Sequence, residues 1–371
     1  MTNVGEIVAR FEQFAPQSWA EEGDPVGLQI GSMQQTVHKM MVTLDVRPEV
    51  VAEAVKNNVD FIFAHHPALF RPIRKFDLEN PQNKMYAELI KHDITVYAAH
   101  TNLDNANQGM NDWLASLLDL QDIEPLLPQH EDKLFRLAVF VPQAAAETVR
   151  NALTAAGAGR IGEYQDCSYT ISGVGRFTPQ PAANPTIGNL LEPTEVAEDK
   201  IEVVFPKKIC SRILKVMRTV HPYEEPAFDL FEVQGNGSRY GMGRVGNLKK
   251  SVTISSFAEY CKTKFEIPHL RVVTGDITRK VSRIAILGGS GSQFYKDVLK
   301  KKADVYVTGD ISYHTGHDII ASGLTAIDPG HHIEQVCKPH LQNLFEQWNN
   351  ENKWQIEVIQ SEINTDPFIF I

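Results

Sequence analysis

Both ends of the chain alternate short apolar runs with helix-length amphipathic ones, and this rhythm restricts the fold more than any other feature. Near the start, "KMMVTLDV" (39–46) reads as a buried strand and "RPEVVAEAVKNN" as a helix with proline in its first turn. "DFIFAHH", "NPQNKMYAELIKHD" and "ITVYAAHTNLD" then read as strand, helix and strand. Near the end, "VSRIAILGG" (281–289), "SQFYKDVLKKK", "ADVYVTGD", "HTGHDIIASG" and "LTAIDPGHH" repeat the pattern, before a long helix in "IEQVCKPHLQNLFEQWNNE". Strands joined through helices lie parallel, because the crossover returns the chain to the end of the sheet where it began. Residues 4–14 add an amphipathic helix with Val4, Ile7, Val8 and Phe11 on one face.

The middle breaks the rhythm. "KLFRLAVFVP" (133–142) and "KIEVVFP" (200–206) alternate apolar and polar residues, and each precedes a short helix. A Gly- and Pro-rich hairpin region lies between them, which predicts a β-α-β-β-α-β module. The expected fold class is therefore α/β. A split α/β unit with mostly parallel sheets (1–131 and 235–371) is interrupted by an inserted ferredoxin-like α+β domain (132–234).

With 371 residues, the chain can bury a core in each of two or three domains. A net charge of −10 argues against broad phosphate-backbone binding, so nucleic acid is not the expected partner. The basic stretch "FPKKICSRILKVMR" (205–218) reads as a solvated helix face. Four cysteines without a CxxC pair fit a reducing compartment. No basic leader precedes an apolar segment, and no run approaches the roughly 18 apolar residues of a membrane span, so a soluble cytoplasmic protein is expected.

"FIFAHHPALF" places two adjacent imidazoles at the end of a buried strand, where an unpartnered polar ring costs about 1–3 kcal/mol. In parallel α/β sheets ligands collect beyond the carboxyl ends of strands. His65 and His66 stand at one such end, His100 and Asp104 at the next, and His331, His332 and Glu334 at a third. Neighbouring strand residues point to opposite faces, so His65 and His66 can share a site only if the chain turns there, and Pro67 favours a turn. His331 and Glu334, three apart at a helix start, share a face. Two or three imidazoles with two carboxylates suit a pair of borderline cations, with Asp104 able to bridge them. His92, His130 and His340 read as ordinary polar residues.

Two glycine motifs compete for attention. "GMGRVG" (241–246) matches a dinucleotide fingerprint but does not lead from a strand into a helix, so it reads as a turn. "GGSGS" (288–292) stands between a strand and a helix, where its amides could receive an anion or form only a tight turn.

Taken in order, "EEGDPVGLQIG", "FAHHPALF", "VYAAHTNLDNANQGMND", "LGGSGSQF", "YVTGDISYHTGHDI" and "DPGHHIEQ" resemble the GTP cyclohydrolase 1 type 2 homologs, the NIF-three-like dinuclear-metal proteins. "HPYEEPAFDLF" (221–231) is similar to the CutA/PII-like domain of the longer bacterial members. The resemblance implies two divalent metal ions per subunit (Zn, Fe or Mn) held by His65, His66, Asp104, His331 and Glu334, and a toroidal homohexamer. "GHHIEQ" puts the acid three residues after His331 where many members have four, so His332 is an alternative to His331. Asp24 matches the family's early motif, whose Asn has no counterpart here. The implied function is a metal-dependent hydrolase, with activated water attacking a nucleotide and His100, His314 or Tyr313 moving protons. A dinuclear phosphoesterase, or a metal-binding scaffold or regulator without turnover, would use the same ligands.

Overall fold

The apolar runs near the start become one sheet in the computed structural model of the protein, which describes residues 1–234 and 237–371. The chain divides into two units, Met1–His130 with Tyr240–Ile371, and Glu131–Arg239. In the first, α1 (Val4–Glu12) begins at a capping box in which Asn3 and Glu6 bond each other's backbone amides. There follow β1 (Gly27–Ile30), β2 (Lys39–Thr43), α2 (Pro48–Lys56), β3 (Phe61–Ala64), α3 (Pro81–Lys91), β4 (Thr95–Ala98), α4 (Thr101–Asn105), α5 (Met110–Leu117) and β5 (Gln121–Glu131). The second unit carries β6 (Leu134–Pro142), α6 (Ala146–Ala155), β7 (Ser168–Phe177), β8 (Thr194–Pro206), α7 (Cys210–Val220) and β9 (Phe228–Val233). The chain then forms β10 (Arg239–Thr253), α8 (Ile254–Phe265), β11 (Arg271–Val273), β12 (Lys280–Ser290), α9 (Tyr295–Lys300), β13 (Val305–Gly309), α10 (Tyr313–Ala321) and β14 (Thr325–Asp328). A 3-10 helix (His331–Val336), α11 (Cys337–Asn352) and β15 (Glu357–Gln360) complete it.

One sheet has the order β1-β4-β3-β2-β15, with β15, β2, β3 and β4 parallel and β1 antiparallel at the edge. The other has the order β11-β14-β13-β12-β10-β5. Its centre, β12-β13-β14, is parallel, and it is flanked by antiparallel β11 and β10, so this sheet is mixed. The parallel centre is the series joined by α9 and α10, whereas β11 leads into β12 through a loop without a helix, and β10 and β11, joined through α8, both run against that series.

Strand periodicity assigns the two faces of the first sheet. Met40, Val42, Phe61 and Phe63 join a core with Val4, Ile7 and Phe11 of α1, Ile284, Ile286, Val305 and Val307 of the second sheet, and Leu341 and Phe345 of α11. Met41, Ile62, Ala64 and Val96 face the other way onto Val50, Ala54, Met85 and Leu89 of α2 and α3. Both sheets of this unit therefore share one core. In the second unit β7-β8-β6-β9 is wholly antiparallel. Leu137, Val139, Ile201 and Val203 pack there against Val149, Leu153, Ile213 and Met217 of α6 and α7. Among the described residues no helix is long and apolar enough to cross a membrane.

"GMGRVG" is not a turn. It runs inside β10, and its glycines admit a buried arginine. Gly243 has a positive φ of 63°, and the Arg244 side chain folds back so that Nη1 donates to the carbonyls of Gly241 and Gly243, each at 2.7 Å. Nε and Nη2 form a fork on Asp112 of α5, both at 2.7 Å, and Nη2 also donates to Ala106 O at 2.8 Å. Arg244 is 1% exposed, so its charge depends on this pairing. Removing the partner of a buried charge costs about 3–5 kcal/mol. Asp112→Ala should lower the thermal unfolding midpoint markedly, whereas Lys264→Ala, which breaks an exposed pair with Asp119, should barely move it. Equal effects would refute this ranking.

Candidate metal centre

His65 and His66 follow β3 where the ladder with β2 continues through His65 N to Thr43 O (3.1 Å) and His66 N to Leu44 O (2.9 Å). The chain bends at these two residues, and their ring centroids come to 5.0 Å. Beyond β4 the "HTNLD" segment is not strand: the chain turns at His100 into α4. Asp24 causes the turn by accepting hydrogen bonds from the His100 ring, the Thr101 amide and the Thr101 hydroxyl. Asp104 is thereby set one helical turn from His100, facing the histidine pair. On the second sheet, Asp328 at the end of β14 accepts hydrogen bonds from Gly330 N and Ile311 N, both at 3.0 Å, and so shapes the loop that presents His331.

These segments bring together three donor groups: His65, Asp104 and Glu334; His66, His331 and Glu334; and His65, His66 and His100. The carboxylate of Glu334, 2% exposed, belongs to two of them. Its Oε1 lies 3.9 Å from His65 Nε2, and its Oε2 lies 3.1 Å from both His66 Nε2 and His331 Nε2. The carboxylate shared by two groups is thus Glu334, whereas Asp104, which the sequence suggests as able to bridge, lies in one. Gly288 and Gly289 leave room for this carboxylate, since a Cβ on either would approach Oε1 to 2.8 Å. The "GGSGS" amides are also partly engaged: Gly288 N donates to Asn111 Oδ1 and Gly291 N to Thr308 Oγ1. The segment makes space for Glu334 rather than offering those amides to an anion.

Every histidine of the cluster is held by its Nδ1. The acceptors are Ala99 O for His65 (2.8 Å), Asp45 for His66 (2.7 Å), Asp24 for His100 (2.8 Å) and Asp310 for His331 (2.7 Å). An acceptor at Nδ1 keeps the proton there and turns the Nε2 lone pair inward, as in protein metal sites. His65 Nε2 and Asp104 Oδ1 are buried 3.7 Å apart and have no hydrogen-bond partner. A cation between them would satisfy both. Imidazoles and carboxylates suit Zn²⁺, Fe²⁺ or Mn²⁺.

The electrostatics support this arrangement. Burial pushes His65 down to about 3, so it is a neutral ligand. Burial also acts against protonation of His66 and His331, but their bonds to Glu334 and to Asp45 or Asp310 raise them to about 10 and about 9. Burial, then the charge of Glu334, raises Asp104 well above the usual carboxylate range. Glu334 is itself held well below that range, because the bonds from His331 and His66 outweigh its burial. Without a cation the cluster therefore holds protons.

His100 joins the cluster, as the sequence suggests, but as a further donor. His314 does not join it: it is exposed on α10 and belongs to none of the three groups. Tyr313, also exposed, lies beside it. His331 rather than His332 supplies the inward nitrogen. The sequence reading missed the Nδ1 partners Asp45 and Asp310. Both stand just past strand ends in "VTLD" and "VTGD", which was the available signal.

A cation must displace the protons on His66 and His331, so uptake is linked to pH. Apparent Zn²⁺ affinity should rise steeply with pH, with protons released on binding, and level off only above the raised imidazole values of about 9 and about 10. Titration calorimetry in buffers of different ionisation heat measures both. An affinity independent of pH would show that these imidazoles are not ligands.

Comparison with known proteins places this geometry in a family. A family model for Duf34/NIF3 (NGG1p interacting factor 3) matches residues 2–367. A Listeria innocua protein named "GTP cyclohydrolase 1 type 2 homolog" is 45% identical over 371 residues, covering 100% of this chain and 99% of that protein. A Bacillus subtilis protein of the same name is 42% identical over 369 residues, with 100% and 99% covered. The crystal structure of a Bacillus cereus protein related to NIF3 superposes with a TM-score of 0.92 at 39% identity, covering 100% of this chain and 99% of that one. The chain belongs to the DUF34/NIF3 family.

Proposed function

We propose that the protein holds two divalent cations and uses them in hydrolysis of a nucleotide. One cation is assigned to His65, Asp104 and Glu334, the other to His66, His331 and Glu334. The observation that carries this reading is the Glu334 carboxylate, whose two oxygens face different histidines: Oε1 faces His65, and Oε2 faces His66 and His331. A divalent cation supplies Lewis acidity, polarising an oxygen of the substrate or of water. The chain's own residues supply the rest. The fixed Nδ1 partners hold the imidazoles without reorganisation, and His100, oriented by Asp24, is placed to carry a proton or to add a ligand.

A cavity of about 1040 Å³ opens beside His66 and His331, which is room for a small substrate. The nucleotide, and GTP in particular, rests on the names of the relatives. The toroidal homohexamer belongs to the same proposal and is read by light scattering.

Metal analysis of the purified protein should find about two cations per chain, lost in His65→Ala and Asp104→Ala variants that remain folded. Metal-dependent consumption of GTP that disappears in both variants supports the hydrolase. Tight metal without turnover of GTP or a phosphoester points to the scaffold reading, and no metal after reconstitution overturns the centre itself.

A further inference from the structure

The segment after β15 has no part in the proposed chemistry, yet it is fastened beside the site. Ser361 N donates to Val42 O at 2.9 Å, and its hydroxyl donates to Glu53 Oε2 at 2.5 Å. Glu362 N donates to the other oxygen of Glu53 at 2.9 Å, and Lys338 Nζ to Ser361 O at 3.1 Å. Two side chain-to-backbone turns follow: Asp366 N donates to Asn364 Oδ1, and Phe368 N to Asp366 Oδ1. Between these fixed points Thr365 is held over Asp45. Its hydroxyl donates to Asp45 Oδ2 at 2.5 Å.

The other oxygen of Asp45 accepts from His66 Nδ1 at 2.7 Å, and Nε2 of the same ring lies 3.1 Å from Glu334. A continuous path, Thr365–Asp45–His66–Glu334, therefore joins the tail to the donor cluster. The terminal torsion of an aspartate is broad, so a carboxylate held at one oxygen can swing. Fixing Oδ2 removes that freedom and keeps Oδ1 in line with the imidazole. The device occurs twice in this site: Asp24 gives one oxygen to the His100 ring and the other to the amide and hydroxyl of Thr101.

We propose that Thr365 is a positioning residue of the candidate metal centre, orienting His66 through Asp45. The proposal rests on the metal-site reading above, and its effect falls on the group formed by His66, His331 and Glu334. Full-length Thr365→Val, Thr365→Ala and Thr365→Ser proteins would be titrated with Zn²⁺ against a chromophoric chelator. Loss of an outer-shell partner typically weakens metal binding about 10–100-fold, and for a residue one step further out we expect roughly 3–10-fold.

The expected pattern is weaker binding of one metal equivalent in the Val and Ala variants, with Ser restoring the parent affinity. Ala adds no bulk and serves if Val fails to fold. Parent-like affinity in the Val and Ala variants overturns the inference while leaving the metal site standing. Equal weakening in all three, Ser included, also overturns it, because packing and not the hydroxyl would then matter. Absence of Zn²⁺ binding by the parent protein overturns both readings.

Discussion

A buried carboxylate organises this molecule. An ionised acid removed from water is destabilising by several kcal/mol unless charges and hydrogen bonds surround it, and Glu334 is nearly inaccessible. Its compensation is supplied by elements of both sheets. Imidazoles at the end of β3 and in the loop after β14 reach its oxygens, and two glycines of β12 stand back to admit it. Each imidazole reaches inward only because its other nitrogen is held, so the site includes a ring of carbonyl and carboxylate acceptors outside the donors. A cluster rich in acids and imidazoles at this spacing must hold either protons or cations, and that competition is the physical basis of the proposed function.

Such a site demands that the two sheets meet accurately. Apolar burial is large but non-directional, and by itself would tolerate a small slip between them. The shared core brings the sheets together, and buried polar contacts set the register. Asn111 donates to Asp104 O and accepts from Gly288 N, linking the helix that carries a donor to the strand that accommodates Glu334. Arg244 binds Asp112 and Ala106 from within β10 and so fixes the same helical region from another side.

Much of this was legible in the residues. The strand–helix rhythm predicts both parallel sets, and the strand-end rule with the "AHHP", "AAHTNLD" and "DPGHHIE" segments collects seven candidates, of which the geometry brings together all but His332. The errors have local causes. "HTNLD" reads as strand because its apolar lead-in continues smoothly, whereas distant partners, Asp24 at Thr101 and Ala15 and Trp19 at Asn102 and Asn105, hold it as helix. "GMGRVG" reads as a turn because glycine density marks turns, whereas here glycines bend a strand around an arginine whose partner lies 132 positions away.

By itself the sequence determined most of the elements, the parallel series within the two sheets and a short set of candidate donors with His331 and His332 left open, because periodicity, chain reversal and ligand chemistry are local properties. Tertiary structure alone decided which acid faces two donor groups, which nitrogen of each histidine points inward, and that Thr365 comes to rest on Asp45. Those outcomes depend on atoms 21 to 320 positions apart meeting within hydrogen-bond distance. No local pattern encodes such a distance. It is set by how two sheets pack across one core.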